Sequence, residues 1–63
     1  MGLVVHDRSG RAYEIDPLNC REIEDRGRDD HGRSVIELST PQSGRIVLVG
    51  ADADALKRAL GMS

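Results

Sequence analysis

Apolar and polar positions alternate through the first half of the chain and fuse into one continuous apolar run near its end. Leu3, Val4, Val5 and His6 read as a first strand, closed by the turn residues Asp7, Arg8, Ser9 and Gly10, with glycine placed to accept positive φ. From Arg11 to Asp16 the chain returns as a second strand. Tyr13 and Ile15 share one face while Ala12, Glu14 and Asp16 share the other, the alternation of a half-buried hairpin arm. Pro17 cannot donate to a ladder, so Pro17, Leu18 and Asn19 are expected as a turn or a short helical step. Cys20 to Asp25 then form a third strand with Ile23 facing inward, polar enough to lie at a sheet edge.

The segment from Asp25 to Arg33, DRGRDDHGR, holds two glycines and six charges and reads as a long, mobile hairpin loop. Ser34 to Ser39 follow as a fourth strand, Ile36 and Leu38 inward, Val35 and Glu37 outward, ended by the turn Thr40 to Gly44. Ile46, Val47, Leu48 and Val49 are apolar on both faces and are expected at the centre of the fold. Gly50 leads directly into a helix. Asp52 is its expected N-cap, Asp54 adds charge to the first turn, Lys57 and Arg58 sit near its end, and Gly61 closes it. Leu56, Ala59 and Leu60 share its buried face with Ala53 one turn earlier, and Met62 folds back toward Leu56. The pattern predicts one α+β domain over residues 1–63. Its antiparallel sheet of about five short strands is strongly bent or barrel-like, and one C-terminal helix packs against it.

Composition sharpens this picture in two places. The chain has no Trp, no Phe and one Tyr, so its core is aliphatic, and its single Cys rules out an internal disulfide. A domain this small without a staple is expected to gain stability by self-association. The net charge of −2, with both signs well represented, disfavours a nucleic-acid footprint. Eight of the nine basic residues are Arg, a bias that points to a GC-rich bacterial or phage source. The chain shows neither a leader pattern nor an apolar stretch of membrane-spanning length, so no membrane insertion and a cytoplasmic location are expected.

Candidate chemistry is sparse. Asp29, Asp30 and His31 are ligand types, but adjacency is poor spacing for chelation, and they read as a solvated loop. His6 has no partner visible in the sequence and reads as a strand-edge histidine rather than a base. Cys20 lacks a neighbouring His and reads as a structural thiol. Asp16, Glu22, Glu24 and Asp25 supply carboxylates, but acid and base work needs a cleft that separates their environments. Gly50 at a helix start has the form of an anion site, which Asp52 and Asp54 would oppose. No enzyme activity, cofactor or metal is expected. Arg26, Arg28, Arg33 and Arg45, with Arg11, are positioned to converge on an acidic partner or a phosphate backbone, although Asp25, Asp29 and Asp30 cancel much of their field.

Tyr13, Ile15, Asp16 and Pro17, followed by Ile23 and Glu24, resemble a pattern in the short flagellar and swarming-motility FlbD-like family. The resemblance extends to a glycine-containing first turn, a strand like Val35 to Leu38, a glycine turn and a final valine strand leading into a C-terminal helix. Three features depart from that pattern. Asp16 stands for the usual Asn, Cys20 for an aliphatic residue, and DRGRDDHGR for a tighter turn. The resemblance implies a small non-catalytic accessory protein acting through protein contacts, with no catalytic residues. The leading expectation is therefore a self-associating protein-interaction module whose partner meets Val47 and Val49 or the edge around Ile23, with Arg26, Arg28, Arg33 and Arg45 as further contact residues. The alternatives are a nucleic-acid-binding regulator using those arginines, or a phage or mobile-element protein that binds a host protein.

Overall fold

A computed structural model describes residues 2–62. Leu3–His6 (β1) and Ala12–Ile15 (β2) form an antiparallel hairpin in unbroken register, Leu3 opposite Ile15 and His6 opposite Ala12. Its turn is built on one carboxylate. Asp7 Oδ1 accepts from the Ser9 amide at 2.9 Å, the Ser9 hydroxyl at 2.6 Å and the Arg11 amide at 3.1 Å. Asp16 opens the 3₁₀ turn Pro17–Asn19 in the same manner, accepting from the Leu18 amide.

Arg21–Arg28 (β3), Ser34–Thr40 (β4) and Gly44–Val49 (β5) form a second antiparallel sheet in the order β3-β4-β5. The helix Ala51–Ala59 (α1) follows one residue later and packs on β1, β4 and β5. Among the described residues one backbone bridge, Asp7 opposite Leu48, links the two sheets, which share a core and do not close into a barrel. Val5, Ile15, Ile36, Leu38, Ile46, Leu48, Ala53 and Leu56 form the core, with Leu3, Tyr13, Cys20, Ile23 and Leu60 packed around it. Eleven aliphatic side chains, drawn from every strand and from α1 with its C-cap Leu60, thus meet in one cluster with the Tyr13 ring and the Cys20 thiol. No helix among the described residues is long and apolar enough to cross a membrane.

Four expectations are corrected. The central strand is β4, not β5. Each of β3 and β5 is joined to β4 by a hairpin, so the meander places β4 between them, and its Ile36 and Leu38 are fully buried. Second, the segment from Asp25 is strand as far as Arg28, and the loop is shorter than the polar run implied. Edge strands tolerate full exposure, which is why a charged sequence pairs here. Third, the remaining turn is clamped rather than loose: Asp29 Oδ1 accepts from the His31 and Arg33 amides at 2.9 Å each. Fourth, α1 begins at Ala51 with Gly50 as N-cap, so Asp52 lies in the first turn instead of capping it. Gly50 takes φ 72° and ψ −129°, a conformation that glycine alone adopts without strain, and this lets the strand turn into the helix within one residue. At the other end Gly61 takes φ 74°, and the Gly61 and Met62 amides donate to the Arg58 and Lys57 carbonyls, a Schellman closure.

Candidate functional site

Alternation along β5 sends Ile46 and Leu48 into the core and leaves Arg45, Val47 and Val49 on the opposite face of the sheet. Register then fixes their neighbours. Val49 stands beside Val35, Val47 beside Glu37, and Arg45 beside Ser39. Val47 and Val49 are half-buried, whereas Val35, outward by alternation, is only 9% exposed. This outer face is the candidate surface.

Around the valines lies a lattice of opposite charges. Arg45 donates to Glu37 and Glu24, to Glu22 Oε2 at 3.3 Å and to the Ser39 hydroxyl at 3.2 Å. Arg26 lies 3.2 Å from both Glu24 and Glu37. The Arg45 guanidinium holds the Glu37 carboxyl below its usual range, and Glu37 in turn raises Arg45. Surface ion pairs contribute little stability one by one, but a network with a shared arginine fixes side-chain positions. The lattice therefore presents an ordered face whose charges are satisfied within the sheet.

The other residues singled out by the sequence fall elsewhere. Ile23 is half-buried and packs against the core. Arg28 donates to the Gly32 carbonyl at 2.8 Å, and Arg33 pairs with Asp29 at 2.9 Å, so both arginines serve the β3–β4 turn. Arg11 lies over the Tyr13 ring at 5.5 Å. The five arginines thus divide into three settings instead of converging. Tyr13, the one aromatic platform, donates its hydroxyl to Asp7 Oδ2 at 2.6 Å.

Two concavities lie elsewhere on the surface of the described residues. The first, about 510 Å³, lies among His6, Asp7, Arg8, Asp29, Arg33 and Asp52 and borders the outer face at Val49. His6 Nδ1 is 3.7 Å from Asp52 Oδ1, while Asp7 and Asp29 are committed to their own turns. Among the described residues no group of three or more His, Cys, Asp or Glu is arranged to hold a metal ion. The second, about 390 Å³, lies beside Cys20, Ile15, Asp16 and Thr40. Burial and the nearby Asp16 charge push the Cys20 thiol upward, and its Sγ donates to the Asp16 carbonyl at 3.3 Å. A protonated thiol is a weak nucleophile.

Sequence reasoning placed Asp7 in a turn but missed that Asp16, Asp25 and Asp29 act in the same way. Asp7, Asp16, Asp25 and Asp29 each accept a hydrogen bond from the amide two residues on. The signal was present: each is followed within three residues by Gly, Ser, Pro or Asn, the setting of an Asx turn. No family model, no curated protein and no solved structure matches this chain.

Proposed function

We propose that this protein is a non-enzymatic interaction module, an accessory protein that works by contact with another protein and with further copies of itself. One observation carries the reading. Val47 and Val49 stand half-exposed on a sheet face whose two arginines, Arg26 and Arg45, are already paired with Glu22, Glu24 and Glu37. Covering such a face gains apolar contact and strips few unpaired charges of water, whereas a face of free arginines would favour a phosphate backbone. The same function is what the FlbD-like resemblance implies.

The test is affinity capture from source cells with the parent chain, with a Val47→Asp/Val49→Asp variant, and with an Arg58→Ala control on the exposed side of α1, across the core from that face. The expected result is one protein held in stoichiometric amount by the parent and the control and lost by the outer-face variant. Equal capture by all three contradicts the reading. Binding to duplex or single-stranded nucleic acid that weakens steeply with salt would replace it with the regulator alternative.

A further inference from the structure

The negative charge of the chain is unevenly placed. Two groups of charged residues flank Val47 and Val49, one toward each valine, and both are acidic on balance. Around Val47, the carboxylates of Glu22, Glu24 and Glu37 meet the guanidiniums of Arg26 and Arg45. Beside Val49, the concavity of about 510 Å³ sets Asp7, Asp29, Asp30 and Asp52 against Arg8 and Arg33, with His6 and His31 neutral at pH 7.

Together the two groups hold seven of the eleven acidic residues but only four of the nine basic ones, an excess of three negative charges. The remaining four acidic and five basic residues leave one net positive charge elsewhere. A net charge of −2 therefore conceals a surface on which the acid gathers around the valine face. The surplus is not quenched within the chain, because Arg45 is already shared among all three glutamates and Arg26 between Glu24 and Glu37. Glu22 is the most open of the three, its side chain 74% exposed, and Asp30 is exposed on the other flank.

We propose that the partner segment covering Val47 and Val49 is basic, an apolar centre seated on the valines with Lys or Arg on both sides of it. The proposal rests on the reading above, that another protein covers this face, and adds the chemistry of what covers it. Long basic side chains suit the position, since their stems lie on apolar surface while their heads reach carboxylates at the rim. The same field works against two other occupants. A phosphate backbone would be repelled, and a second copy offering its own valine face would bring two acidic surfaces together.

Selection of a random peptide library displayed on phage, with the full chain immobilised, tests this. The most enriched peptide is then synthesised as the probe, and its Kd is measured by fluorescence anisotropy on the parent and on variants shown by circular dichroism to be folded. The expected pool is enriched severalfold, relative to the unselected library, in peptides with Lys or Arg on both sides of an apolar residue. Val47→Ser/Val49→Ser, which removes the apolar stripe without adding charge, loses the probe. Glu22→Gln and Asp30→Asn each raise its Kd by about 1.5- to 5-fold, and Glu14→Gln, on β2 beside the other concavity, leaves it unchanged. Peptides that need the valines but show no excess of Lys and Arg, or whose Kd is unchanged by Glu22→Gln and Asp30→Asn, overturn the basic partner and leave the docking face standing. A library that yields no peptide, or peptides held equally by the double Ser variant, overturns both.

Discussion

Removing one methylene from Ile36 should cost more stability than removing three carbons from Leu18. Ile36 lies in the middle strand with no exposed surface, opposite Leu48 on one side and Asp25 on the other, whereas Leu18 is 88% exposed on the 3₁₀ turn. Ile36→Val deletes one buried methylene and leaves a small void, a loss of about 1 kcal/mol. Leu18→Ala removes surface that water already covers, and its effect should stay within about 0.5 kcal/mol of zero. A 63-residue domain carries roughly 3–9 kcal/mol of total stability. The Ile36 loss is therefore a sizeable fraction of the whole without unfolding the protein. It corresponds to an approximately fivefold rise in the unfolding constant and a fall in Tm of about 4–8 °C. Urea titration followed by far-ultraviolet dichroism, at one protein concentration for all variants, measures both. A Leu18→Ala cost equal to or above that of Ile36→Val would refute the placement of β4 at the centre of the core.

Three further outcomes follow from the same geometry. Asp7 has its carboxyl lowered from 3.8 to about 2 by the Ser9 and Tyr13 hydrogen bonds, so its stabilising effect is complete above pH 4 and is lost as pH falls through 2. Urea midpoints measured between pH 5 and pH 2 should therefore fall less steeply in Asp7→Asn than in the parent; equal slopes would count against the turn clamp. Gly50→Ala should cost about 1–3 kcal/mol through backbone conformation alone, since a Cβ there meets only Arg33 Cδ at 3.8 Å. A neutral substitution in the same urea assay would show that the strand-to-helix turn does not need glycine. Cys20, whose thiol burial pushes upward, should react with iodoacetamide at pH 7.5 several times more slowly in the folded protein than in urea, and equal rates would place the thiol in open solvent.

The elements that a local signal defines were readable from the sequence. Asp7 to Gly10 makes the first turn because Asp, Ser and Gly carry their own hydrogen-bonding and backbone preferences, and Gly61 ends α1 for the same kind of reason. Non-local facts were not readable. Four apolar residues in β5 suggest cover on both faces, yet the Val47 and Val49 face stays half-exposed, and nothing in Ile46 to Val49 tells how many strands flank them. The answer lay in two hairpins that both use β4. Similarly, Asp25, Arg26 and Arg28 look like loop residues because polarity reports exposure, and an edge strand is as exposed as a loop. The candidate site suffered from the same limit. Arg45 was visible as a charge, but its partners Glu22 and Glu24 lie more than twenty residues away and reach it only after β3, β4 and β5 have paired.

That the protein works through the outer face of β5 is tested most directly by photo-cross-linking in the source cells, with a photoreactive amino acid at position 49 and, separately, at exposed position 58 on α1. The account predicts a discrete adduct from position 49, mapping to one patch on one protein, and no such adduct from position 58. Adducts that are the same from both positions, or absent from position 49, would contradict it.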